Sequence, residues 1–98
     1  MGQFKLKIEE LAEKHLRQHY KSGDKASIKK IEKILLELSE TPYTGVGNPE
    51  ALKYELSGFW SRRINQKDRM IYKVEHDIVT VLLFQQWAIT PNRPVQRS

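Results

Sequence analysis

One carboxylate set among cations is the grouping in this sequence best suited to chemistry. Glu50 closes the loop Thr41–Pro49, Lys53 follows it, and Arg62, Arg63, Arg69 and Lys73 come soon after. Such a set suits the cleavage of RNA. The 2′-hydroxyl must lose a proton as it attacks the adjacent phosphorus, and a carboxylate within hydrogen-bond reach can take it. The phosphorane gains negative charge, which arginine forks stabilise better than lysine point charges. The leaving 5′-oxygen needs a proton or a compensating cation. Each residue also has a plainer reading. A glutamate after Pro/Gly-rich sequence is more often a solvated loop residue. An Arg-Arg pair on a strand is usually exposed and discourages edge pairing. Trp60 and Tyr72 are more often core than base-stacking platforms. His15 and His19 stand one helical turn apart but have no third ligand, so no metal and no cofactor is expected.

Strands must bring these residues together. In Trp60–Asn65, Trp60, Arg62 and Ile64 share one side and Ser61, Arg63 and Asn65 the other. In Arg69–Val74, Met70, Tyr72 and Val74 share one side and Arg69, Ile71 and Lys73 the other. If Met70, Tyr72 and Val74 pack under helices, Arg69 and Lys73 face away from them, with Arg63 across the hairpin. Lys53–Leu56 reads as the preceding strand and Ile78–Phe84 as the last, with turns at Ser57-Gly58, Asn65–Asp68 and Glu75–Asp77.

Upstream, Phe4, Leu6 and Ile8 alternate with Gln3, Lys5 and Lys7, as in a half-buried strand. From Glu9 the period changes to helical, with Leu11, Ala12 and Leu16 on the stripe. Ser22-Gly23-Asp24 stops this helix and offers an N-cap to the next. There Ile28, Ile31, Leu35 and Leu38 share a face with Ile34 beside them, and Pro42 sets the end. The expected fold is α+β: a strand, two helices, then an antiparallel meander of three to four strands. The helices should cover one sheet face and leave the other open.

The 98 residues suffice for one domain with one modest core. No apolar run approaches the roughly 20 residues that span a bilayer, and no signal peptide is read at the N-terminus. The absence of cysteine excludes disulfides and thiolate metal sites. Together these favour a cytoplasmic protein without a membrane partner. The net charge of +5 and pI near 9.6 point to an anionic partner. On residue chemistry alone the chain is a basic α+β domain suited to binding RNA.

Two longer strings carry a resemblance. Thr41-Pro42-Tyr43-Thr44-Gly45-Val46-Gly47-Asn48-Pro49-Glu50-Ala51-Leu52-Lys53 and Leu56-Ser57-Gly58-Phe59-Trp60-Ser61-Arg62-Arg63-Ile64-Asn65, closed by Asp68-Arg69-Met70-Ile71-Tyr72, resemble the YoeB/Txe toxins of the RelE superfamily. The similarity extends weakly back through Ser22–Lys25 and forward to about Leu83. The resemblance implies a RelE-like fold over residues 1–84. It implies a toxin of a type II toxin–antitoxin system: an endoribonuclease that cuts mRNA in the ribosomal A site without metal. Its implied partners are a cognate antitoxin, the mRNA and rRNA of the ribosome, and a second copy in a homodimer. By position, Glu50 matches the family's general base and Arg69 the arginine at the phosphate. Lys53 and Arg63 match supporting basic residues, and Arg62 and Lys73 complete the expected phosphate-binding set.

The ending departs from that pattern. These toxins usually finish on a His-Tyr pair that supplies the general acid and positions substrate. Here Leu83–Thr90 contains neither. Read from the third base of the Phe84 codon, the codons for Phe84–Thr90 can spell Ser-Ala-Met-Gly-His-Tyr. A one-base shift near Phe84 is therefore the expected origin of this ending, with residues 85–98 an atypical, disordered tail. The consequence is an attenuated enzyme. The alternative is a catalytically inactive relative that binds antitoxin or ribosome without cleavage.

Overall fold

The computed structural model describes residues 4–86. The order is β1 (Lys5–Ile8), α1 (Glu10–Ser22), α2 (Lys25–Leu38), β2 (Glu50–Ala51), a 3-10 turn (Tyr54–Leu56), β3 (Trp60–Arg63), β4 (Asp68–Glu75) and β5 (Ile78–Gln86). The strands form one mixed sheet in the order β1-β5-β4-β3-β2. β2 to β5 make the antiparallel meander, and β1 joins the far edge parallel to β5, Lys5 beside Ile78 and Ile8 beside Val81. This is the α+β architecture expected from the periodicities.

Each helix has local reasons to start and stop. Glu10 and Glu13 lie in the first turn of α1 and His19 and Lys21 in its last, both matching the macrodipole. Gly23 closes α1 in the left-handed conformation (φ 79°), which costs glycine nothing. Asp24 caps α2: its carboxylate accepts from the Ser27 N–H at 3.1 Å and from the Ser27 hydroxyl at 2.8 Å. That bonding holds the Asp24 pKa below the ordinary carboxylate value.

The core lies between the helices and one sheet face. Ala12 from α1 and Ile31, Ile34 and Leu38 from α2 pack with Met70 and Tyr72 of β4 and Val79, Val81 and Phe84 of β5. Trp60 and Val74 flank this cluster. Tyr72 is fully buried, and Trp60 is half-buried with its ring 5.0 Å from that of Tyr43, so both are packing residues.

Three expectations need correction. The segment Lys53–Leu56 is not a strand. The edge strand is the earlier pair Glu50–Ala51, and the chain then turns, with the Leu56 N–H on the Lys53 carbonyl and the Ser57 N–H on that of Tyr54. Tyr54 sits at φ 59°, which breaks the extended run. Second, the sheet face away from the helices is not open throughout: Ser61, Arg69, Ile71 and Thr80 are buried on it. Third, Arg62 is not an exposed strand arginine, as the site geometry makes plain. The tail expected from residue 85 begins inside β5, which runs to Gln86; from residue 87 onward it lies outside the described residues.

Candidate active site

The meander sets Glu50 and the basic residues on the sheet face opposite the helices. Glu50 pairs with Ser61, and Ser61 with Ile71, giving one row across three strands. One step along, Arg63 pairs with Arg69. Directly opposed residues in antiparallel strands have Cβ atoms about 4.5–5.5 Å apart on the same face. Alternation along β4 adds Lys73 to that face. The structure therefore brings Glu50, Arg63, Arg69 and Lys73 together, with Lys53 just past the end of β2.

Their environments differ. Glu50, Lys53 and Arg63 are exposed. Arg69 is only 2% exposed. Burial pulls its pKa down, and the negative charge of Glu50 pushes it back up. The carboxylate is thus close enough to act on that guanidinium, which stays cationic in any case. Lys73 is half-buried, with Nζ 3.5 Å from Glu75 Oε1. The cavity of about 440 Å³ lined by His15, His19, Asp24, Lys67, Asp68 and Phe84 among others contains none of these residues. The candidate site is a sheet surface.

Arg62 points the other way, into the structure, and is 0% exposed. All five of its N–H donors are engaged. Nη1 donates to Glu37 Oε1 at 2.7 Å and to the Val46 carbonyl at 3.3 Å. Nη2 donates to the carbonyls of Thr41 and Thr44, both at 2.7 Å, and Nε to the Tyr72 hydroxyl at 3.4 Å. No donor remains for a phosphate, so Arg62 leaves the expected RNA-binding set. Tyr72 in turn donates to the Pro42 carbonyl at 2.6 Å. Burial raises the Tyr72 pKa, and the hydrogen bond and charge of Arg62 oppose that rise.

The sequence pattern contained a signal for this. Alternation puts Arg62 on the same side as Trp60 and Ile64, the core side. A buried arginine there requires acceptors, and the loop at residues 41–47 supplies them as carbonyls. Its glycines make room. A Cβ on Gly45 (φ 128°) would collide with the Glu37 carboxylate and stand 2.9 Å from Arg62 Nη1; one on Gly47 (φ 83°) would stand 2.8 Å from the Arg63 carbonyl.

The histidines have a structural part. His15 Nδ1 accepts the Phe84 N–H at 3.1 Å, and the rings of His15 and His19 lie 6.2 and 5.4 Å from that of Phe84. Burial, then the charges of Lys14 and His19, lower the His15 pKa. Among the described residues no group of three or more His, Cys, Asp or Glu is placed to hold a metal ion. No helix among them is long and apolar enough to cross a membrane.

Residues 7–87 match the family described as the YoeB-like toxin of bacterial type II toxin-antitoxin systems. The chain belongs to that family. The YoeB toxin of Escherichia coli is 43% identical over 63 residues, 64% of this chain and 75% of the toxin. The fold agrees with solved YoeB structures. The YoeB/ParE toxin from Agrobacterium tumefaciens superposes with a TM-score of 0.74 at 27% identity, over 85% of this chain and 98% of that one. The toxin in a heterotetrameric YoeB-YefM toxin-antitoxin complex from Staphylococcus aureus gives 0.70 at 28% identity, over 84% and 94%. The RelE-like fold and a toxin of a toxin–antitoxin system are therefore the family context for the face built around Glu50.

Proposed function

We propose that this YoeB-like toxin is a ribosome-dependent endoribonuclease that cleaves mRNA in the ribosomal A site. The observation that carries the proposal is the exposed Glu50 carboxylate on the same sheet face as Arg63 and Arg69, close enough for its charge to act on Arg69. Glu50 takes the 2′-hydroxyl proton as the oxygen attacks phosphorus. Arg69 stabilises the charge that gathers on the phosphorane, its strand position beside Arg63 putting it on the Glu50 face. Arg63, Lys53 and Lys73 hold the flanking phosphates. An antitoxin is the protein partner, by analogy with the YoeB-YefM assembly.

A second reading rests on one observation, the absence of His-Tyr from Leu83–Thr90. Without that pair the leaving 5′-oxygen lacks the family's proton donor, and the chain binds its partners more readily than it cuts. Losing a general acid costs about 10²–10⁴-fold. Primer extension on translated mRNA separates the readings, with the chain as it stands compared to one whose ending is restored to His-Tyr. Cleavage by both, abolished by Glu50→Ala, supports the enzyme. Cleavage by the restored chain alone supports the inactive binder. The gene sequence tests the one-base shift: codons that cannot yield His and Tyr in the shifted frame dispose of it.

A further inference from the structure

We infer that Arg62 is a positioning residue for Glu50, acting through the loop it clamps. Glu50 begins a strand of only two residues at the sheet edge, Glu50–Ala51, paired with Ser61 and Trp60. So short an edge pairing frays easily, because few contacts oppose local opening. What precedes it is therefore decisive. Residues 41–47 make no regular ladder, yet their backbone is tied down at both ends. The Arg62 guanidinium gathers the carbonyls of Thr41, Thr44 and Val46 around itself. Glu37 accepts from Arg62 and also from the Val46 N–H at 3.0 Å, so one carboxylate oxygen joins helix, loop and arginine. The Arg63 N–H donates to the Gly47 carbonyl at 2.6 Å. Asn48, in the left-handed region at φ 54°, and Pro49, whose ring fixes φ, then deliver the chain to Glu50.

Arg62 belongs to β3, the strand on which β2 rests. It therefore fixes the loop to the same strand that carries Arg63, and through the ladder to Arg69. The base and the phosphate-binding arginines are referenced to one rigid element. Arg62 touches no RNA in this account; it sets where the Glu50 carboxylate stands. The kinetic half of the inference rests on the ribonuclease reading. The structural half does not.

The test uses Arg62→Lys, which keeps the charge and loses the planar fork. In primer-extension kinetics on translated mRNA, Arg62→Lys should lower the maximal rate of the folded protein about 10–100-fold with KM little changed, the scale expected of a misplaced catalytic group. In a Glu50→Asp background, whose shorter side chain already misplaces the carboxylate and leaves residual cleavage to measure, the same substitution should cost little further. An equal fractional loss in both backgrounds overturns the inference, since Arg62 would then act independently of Glu50. Amide hydrogen exchange supplies the second measurement. The Leu52 N–H, bonded to the Phe59 carbonyl at 2.9 Å, lies beyond Glu50 from the clamp. In Arg62→Lys its exchange should accelerate more than that of amides in β4 and β5. Uniform acceleration, or none at Leu52, overturns the inference. If neither the chain nor its restored-ending form cuts RNA, the ribonuclease reading fails and exchange at Leu52 still decides the role of Arg62. If Arg62→Lys does not fold, Glu37→Gln, which keeps an amide oxygen as acceptor, takes its place in both measurements.

Discussion

Glu37→Ala is the sharpest probe of the clamp's energetics. The carboxylate is 2.7 Å from Arg62 Nη1, and the two side chains are 23% and 0% exposed. Removing it leaves a buried guanidinium facing only neutral acceptors. Breaking a buried ion pair from one side typically costs about 3–5 kcal/mol. Water entering at the partly exposed Glu37 position returns part of that, and the Val46 N–H loses its acceptor as well. The expected net loss is about 2–4 kcal/mol. That is a large share of the roughly 5–15 kcal/mol that holds a domain of this kind together. At about 4–8 °C per kcal/mol for a small domain, the melting temperature should fall by roughly 10–30 °C. Thermal and urea unfolding followed by circular dichroism measure this, with exposed Glu55→Ala as a control expected within about 0.5 kcal/mol of wild type. Adding Arg62→Met should not restore stability, because the Thr41, Thr44 and Val46 carbonyls would then lose their donor. A loss below about 1 kcal/mol for Glu37→Ala would refute the reasoning, since exposed ion pairs contribute no more than that.

Other consequences are measurable on the same protein. The His15 pKa lies below its ordinary 6.5, so the unfolded chain binds the proton more readily than the folded one. The stability from neutral His15 is full above pH 6.5 and is lost as pH falls from there through the lowered pKa. His15→Gln should flatten the unfolding free energy across that window; an unchanged slope would assign it to another group. Tyr72→Phe removes the hydroxyl between Arg62 and the Pro42 carbonyl and should cost about 1–3 kcal/mol in urea unfolding. Met70→Ala, in the centre of the core, should cost about 2–5 kcal/mol by the same measurement.

Much of the fold was legible because its signals are local. The helical period of α2, the Asp24 cap and the alternation in β4 each lie within a few residues, and the structure repeats them, with the buried face of α2 centred on Ile31, Ile34 and Leu38 rather than on Ile28 and Leu35. The placing of Arg63 beside Arg69 follows from strand alternation and a short hairpin. What was not legible depends on contacts distant in sequence. By its charge Arg62 reads as a phosphate ligand, although its strand side is the core side. Its acceptors are Glu37 on α2 and three carbonyls in a loop, and no local pattern announces them. Lys53–Leu56 reads as a strand running up to the Ser57-Gly58 turn. Only the turn geometry at Tyr54 shows that pairing has already ended at Ala51. The burial of Arg69 and the bond between His15 and the Phe84 N–H are likewise tertiary facts.

We propose that the face around Glu50 cuts mRNA on the ribosome. Primer extension on a translated message tests it most directly, using this chain, its restored-ending form and Glu50→Ala in each. Ribosome-dependent cuts are expected, strongest with the restored ending and abolished by Glu50→Ala. Cuts that persist unchanged after Glu50→Ala, or no cuts from any form, would contradict it.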